Sequence, residues 1–87
     1  MHELSIALEV CRLAEEKLGR EALRRVVSVG VDVGEDAGVE IGALEFCLGA
    51  VLAEPPFGRA RAVIRCRPGD VLQVSYLELE DDGDPDH

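Results

Sequence analysis

Val26-Val27-Ser28-Val29-Gly30-Val31-Asp32-Val33 is the stretch on which the fold turns. Its β-branched content predicts a strand, with Val27, Val29, Val31 and Val33 toward one face and Ser28, Gly30 and Asp32 toward the other. Gly34-Glu35-Asp36-Ala37-Gly38 breaks it. On the downstream side, residues 40–53 repeat apolar side chains at helical spacing. Ile41, Leu44, Cys47, Leu48, Val51 and Leu52 form the inner stripe, with Phe46 off to one side. Pro55-Pro56 stops this helix. Gly42 and Gly49 each weaken it by about 1 kcal/mol relative to Ala, so tertiary packing has to hold it.

Further along, residues 59–67 alternate. Ala60, Ala62, Ile64 and Cys66 face inward, and Arg59, Arg61, Val63, Arg65 and Arg67 face outward. Pro68-Gly69 suits the centre of a type II turn. Residues 71–80 read as a returning strand, which predicts an antiparallel hairpin with 59–67. The apolar phase of that strand shifts between Leu72/Val74 and Leu77/Leu79, predicting a bulge near Ser75-Tyr76. Upstream of Val26, residues 3–18 read as a helix that Gly19 stops. Leu4, Ala7, Leu8, Cys11, Ala14 and Leu18 make one stripe, and Ile6, Val10 and Leu13 make a second beside it. Residues 21–25 fit either a short helical piece or a lead into the strand. The order α-β-α-β-β places two helices on one face of a three-stranded mixed sheet, an α+β fold.

Eighty-seven residues make one domain, expected over 1–80, with an acidic disordered tail over 81–87. A chain this short buries only roughly 60–65% of its unfolded surface, which disfavours a deep enclosed cleft. The net charge is −9, but six acids lie in the last ten residues: Glu78, Glu80, Asp81, Asp82, Asp84 and Asp86. The body then has twelve acids against nine bases, which argues against nucleic acid as a partner. No apolar run is long enough to span a membrane, and Glu3 and Glu9 interrupt any leader, so the expected location is cytoplasmic. Cys11, Cys47 and Cys66 are odd in number and far apart, with no CxxC. They predict neither a disulfide framework nor a structural zinc site, which needs about four Cys/His ligands. Each is read as a small hydrophobe on an apolar face. No Ser/His/Asp set or phosphate loop is present, so a non-enzymatic role is expected.

The candidate chemistry lies at Met1-His2-Glu3. An amine, the His2 amide nitrogen and His2 Nδ1 can close a five-membered and then a six-membered chelate ring on one ion. Square-planar, nitrogen-rich coordination suits Ni(II) or Cu(II) over Zn(II) or Ca(II). A bulky second residue predicts that Met1 is retained with its amine free.

Met1-His2-Glu3-Leu4-Ser5-Ile6 resembles the opening of the HypA/HybF family, nickel metallochaperones of [NiFe]-hydrogenase maturation. Val33-Gly34-Glu35 with Ala37-Gly38-Val39, Ala43-Leu44-Glu45-Phe46, and Val71 through Glu80 resemble the family's strand exit, second helix and closing strand. The resemblance implies Ni(II) binding with His2 as the essential ligand. It also implies that Met1 and Glu3 supply backbone nitrogens or a carboxylate, and that Glu40 stands near the site. Glu40 reads equally as a helix N-terminal acid. The implied partners are a HypB-like nickel GTPase and the hydrogenase large-subunit precursor. Family members carry a zinc ribbon with two CxxC pairs between the last two strands. Here Cys66-Arg67-Pro68-Gly69-Asp70 stands in its place, and Cys66 is either a remnant of it or, more simply, an inward strand residue.

Ile6, Val10 and Leu13 lie beside the expected metal site and are candidates for binding a partner; the alternative is packing against the second helix. Arg59, Arg61, Arg65 and Arg67 read as a solvated face paired in part with Glu78, Glu80 or Asp32. The competing function is a metal-independent interaction module that binds a maturation partner or another copy of itself.

Overall fold

The computed structural model describes residues 2–80; Met1 and the expected tail 81–87 lie outside those residues. The elements are α1 (Glu3–Leu18), a 3-10 turn (Arg20–Arg25), β1 (Val26–Gly34), α2 (Ile41–Leu52), β2 (Arg61–Arg67) and β3 (Leu72–Leu79). The expected order and α+β class hold, and the ambiguous segment 21–25 is helical.

The strand pairing differs from the hairpin expected of residues 59–80. The sheet order is β2-β1-β3. β1 pairs in parallel with β2, from Ser28↔Arg61 to Gly34↔Arg67. It pairs antiparallel with β3, from Val26↔Leu79 to Val33↔Leu72. The physical reason is that β1 is the buried strand: Val29, Val31 and Val33 are almost wholly enclosed, and even Ser28 and Asp32 are buried. Its backbone groups need partners on both edges. β2 and β3 carry the arginines, Gln73 and Glu78 and tolerate the solvated edges.

The Pro68-to-Val71 connection therefore bridges two strand spacings, about 10 Å, across the end of β1. Gly34 N–H donates to Val71 O (2.6 Å), Glu35 N–H to Arg67 O (2.8 Å) and Asp36 N–H to Gly69 O (2.9 Å). A Cβ on Gly34 would collide with Gly69 O and the Val71 amide, so the crossing requires glycine there. Gly69 itself has φ +86°, the left-handed conformation expected at the second centre of a type II turn.

The bulge predicted near Ser75-Tyr76 is present: Gly30 pairs with Tyr76 and Val31 with Val74, leaving Ser75 extra. A second irregularity between Val26 and Ser28 brings Val26 into the core, while Val27 is half-buried. Cys66, expected inward, is exposed. It lies opposite Val33, beyond half-buried Ala62 and Ile64 on the same side. Near the end of an edge strand a side chain has a neighbour on one side only.

α1 also turns by part of its circumference from the expected stripe. Ile6, Ala7, Val10 and Ala14 are buried, whereas Leu4 and Leu8 are 44% and 54% exposed. The buried arc lies between the two predicted stripes because α1 packs on α2 with one flank and faces β3 with the other. Gly19, φ +84°, ends the helix and donates its N–H to Glu15 O at 2.8 Å. In α2, Leu44, Leu48 and Leu52 are fully buried at i, i+4 spacing, and Phe46 stands off the core at 78% exposure.

The other face of the sheet is covered by its own side chains. Ser28 Oγ donates to Glu78 Oε1 (2.8 Å), and Gln73 Nε2 donates to Asp32 Oδ2 (3.2 Å). Arg65 Nε is 3.7 Å from Asp32 Oδ1, bearing out part of the expected cross-strand pairing. The Tyr76 ring lies over Gly30, filling the space a side chain would take.

Two glycine substitutions should move stability in opposite directions. Gly34→Ala forces the crossing backbone apart and should cost about 1–3 kcal/mol. Gly49→Ala has open space in an exposed helix position and should add about 0.5–1 kcal/mol. Urea denaturation of both variants beside the parent measures each shift.

Candidate metal centre at the amino terminus

α1 and α2 lie side by side and start at the same end of the molecule. The Glu40 amide donates to Glu3 Oε2 at 2.8 Å, joining the two helix starts. Further along, Leu8 and Cys11 of α1 face Ala50 and Val51 of α2 across a shared hollow. Two helix N-termini, each with unsatisfied N–H groups and the positive end of a macrodipole, therefore converge where the chain begins.

Both predicted carboxylates are used in satisfying them. Glu40 is the N-cap of α2, and its Oε1 accepts from the Ala43 amide at 2.7 Å. Glu3 occupies the first turn of α1 and accepts the Glu40 amide. That hydrogen bond holds the Glu3 carboxyl below the usual carboxylate range. The sequence signalled Glu40 as a helix-start acid, and the family resemblance set it near the site that holds Glu3. Their pairing, 37 positions apart, had no local signal.

His2 stands immediately outside this clasp. It is the N-cap residue of α1 with extended backbone (φ −89°, ψ 106°), is exposed, and makes no side-chain capping bond. Its carbonyl accepts the first helical hydrogen bond, from Ile6 N–H at 3.2 Å. The imidazole is thus left for another use. Met1 lies outside the described residues.

Among the described residues no three or more His, Cys, Asp or Glu side chains cluster in a way that could hold a metal. A site here has to draw on main-chain nitrogen together with one imidazole. Cys11 and Cys47 are half-buried, and burial pushes the Cys11 thiol up, away from the thiolate that binds metal.

A largely apolar groove of about 370 Å³ opens beside His2, between α1 and β3. Ile6 and Val10 form its floor, and Leu13, Leu72 and Val74 its walls. Ile6 and Val10 are core residues, 8% and 4% exposed, so they offer a partner the bottom of a groove and not a protruding stripe. They share one core with Leu44, Leu48 and Leu52 of α2 and also line the groove toward β3.

A family model described as "Hydrogenase/urease nickel incorporation, metallochaperone, hypA" matches residues 1–72. The chain is 36% identical over 81 residues to the hydrogenase maturation factor HypA of Polaromonas naphthalenivorans, covering 93% of this chain and 57% of that protein. It is 38% identical over 64 residues to HypA of Chlorobaculum parvum, covering 74% of this chain and 57% of that protein. Against HypA of Alkalilimnicola ehrlichii it is 38% identical over 72 residues, covering 83% and 64%. The chain thus spans about three-fifths of the length of these curated relatives.

Because the folded Glu3 carboxyl is more acidic than an unfolded one, its stabilisation is complete above the unfolded value and fades as pH falls through the folded one. Glu3→Gln should therefore be less stable than the parent at neutral pH, and the difference should shrink as pH falls below the ordinary carboxylate range. Urea midpoints of metal-free protein across that fall in pH measure the change.

Proposed function

The chain belongs to the HypA family, and from that premise we propose that it binds Ni(II) as cargo at Met1-His2-Glu3. The observation that carries this reading is the state of His2. It is exposed, extended and free of capping duty, one residue before a helix whose start is pinned by Glu3 and Glu40.

The donor set fits the ion. The Met1 amine, the His2 amide nitrogen and His2 Nδ1 give three nitrogens in one plane, the pattern that suits Ni(II). The fourth donor comes from Glu3. Its carboxylate already accepts from Glu40, whereas its amide belongs to the first helical turn, where N–H groups have no intrahelical acceptor. The main-chain nitrogen is accordingly the better candidate. Glu40 acts one step removed, by fixing Glu3 and so the direction in which the terminus leaves α1. An amide gives up its proton to ligate, so affinity rises with pH and nickel release is favoured by acid.

The protein's role in this reading is non-enzymatic and cytoplasmic: it accepts Ni(II) and passes it, with a HypB-like nickel GTPase, to the hydrogenase large-subunit precursor. The groove over Ile6, Val10 and Leu13 opens beside His2 and is the surface against which a nickel-exchanging partner would sit. No helix among the described residues is long and apolar enough to cross a membrane, which accords with this placement.

Nickel titration of protein with its native terminus, followed by calorimetry and the absorbance of planar Ni(II), tests the reading. Binding should be micromolar or tighter, should strengthen between pH about 6 and 8, and should be lost in His2→Ala. Adding one residue before Met1 moves the amine out of the chelate and should weaken binding comparably. Equal binding by all three proteins would mean that the metal sits elsewhere and leave the metal-independent interaction module standing.

A further inference from the structure

We propose that the outer seam between α1 and α2 is a docking surface for an amphipathic helix bearing basic side chains, a site separate from the nickel-binding terminus. Leu4, Leu8 and Phe46 are among the most exposed large apolar side chains of residues 2–80, at 44%, 54% and 78%. Leu8 and Ala50 line the hollow between the two helices, and Leu4 and Phe46 stand one turn before them on the same helix faces, on the outer side of the seam. Between the two helices a hollow of about 480 Å³ is lined by Leu8, Cys11, Ala50, Val51, Pro55 and Pro56, with Glu54 and Phe57 completing it. Side chains protruding beside an apolar hollow form a surface that accepts a leucine-type stripe.

Charge selects the occupant. No Lys or Arg occurs between Arg25 and Arg59, so α2 and its two ends carry only acids, Glu40, Glu45 and Glu54. Glu54 lies in the hollow itself. On the α1 side, Glu15 is held loosely by Arg20 at 3.8 Å. A second copy of this chain would bring the same acidic border against itself, a like-charge contact that disfavours self-association here. A helix with Lys or Arg flanking its apolar face meets complementary charge on both sides. The surface owes nothing to metal, so it stands or falls independently of nickel binding.

The test uses the whole chain, without nickel. The probes are two synthetic helices of about five turns with the same leucine stripe, one flanked by Lys and one by Glu. The Lys-flanked helix should bind and perturb the amide resonances of Leu4, Leu8, Phe46 and Ala50. Phe46→Ser should weaken binding about tenfold or more. Its side chain is mostly in solvent, so the thermal midpoint should change little. Glu54→Gln should weaken the Lys-flanked helix and flatten its salt dependence. No binding, equal affinity for the Glu-flanked helix, or perturbation confined to the α1–β3 groove would overturn the proposal. So would a dimer of the parent protein that Phe46→Ser dissolves, which would assign the surface to a second copy.

Discussion

Hydrogen bonding on both edges of β1 sets where everything else can be. Its parallel pairing with β2 demands a crossover, which α2 supplies. Its antiparallel pairing with β3 demands that the chain return past the strand's end, which Gly34 and Gly69 permit. The valines of β1 give both helices their shared floor, and its polar face is roofed by Tyr76, Glu78, Gln73 and Arg65. Two-sided pairing also explains why Ser28 and Asp32 are buried although they point away from the helices. Each is enclosed by a longer side chain from a neighbouring strand.

Local patterns in the sequence described the elements well. β-Branched alternation located β1, the i, i+4 leucines located α2, and the phase shift after Val74 located the bulge at Ser75. What sequence proximity could not determine was pairing. A tight Pro-Gly turn between two alternating segments looks like a hairpin whether or not a third strand lies between them. The information that it does is the apolar content of β1 taken together with the arginine row of β2. Likewise, spacing on α1 found the apolar arc but not its centre, because that depends on a helix and a strand pressing from different sides. At the candidate site, His2 and the two acids were legible one by one. The nearness of Glu40 came only with the family resemblance, and its amide's hydrogen bond to the Glu3 carboxylate, a tertiary contact, had no signal.

That contact has a mechanical meaning for the terminus. Two helix starts that would each leave unsatisfied N–H groups are locked together by carboxylates at Glu3 and Glu40. The His2 side chain makes no capping bond. The amino end is thereby presented from a firm base, with a hydrophobic groove on one side and a pair of helix dipoles behind it. Glu3 and Glu40 set negative charge against the positive ends of those dipoles.

The passage of Pro68-Gly69-Asp70-Val71 over the end of β1 bears on more than topology. Arg67 and Leu72 leave the sheet on the same side, about two strand spacings apart, and Leu72 lines the groove that His2 also borders. This is a natural splice point. An independently folded module inserted there would share no core with the sheet, would meet neither edge strand along its length, and would emerge at the same rim as the amino terminus. The fold accommodates a short bridge or a long excursion at that point with the same framework beneath, so what the protein carries beside its first residues can change without changing what holds them.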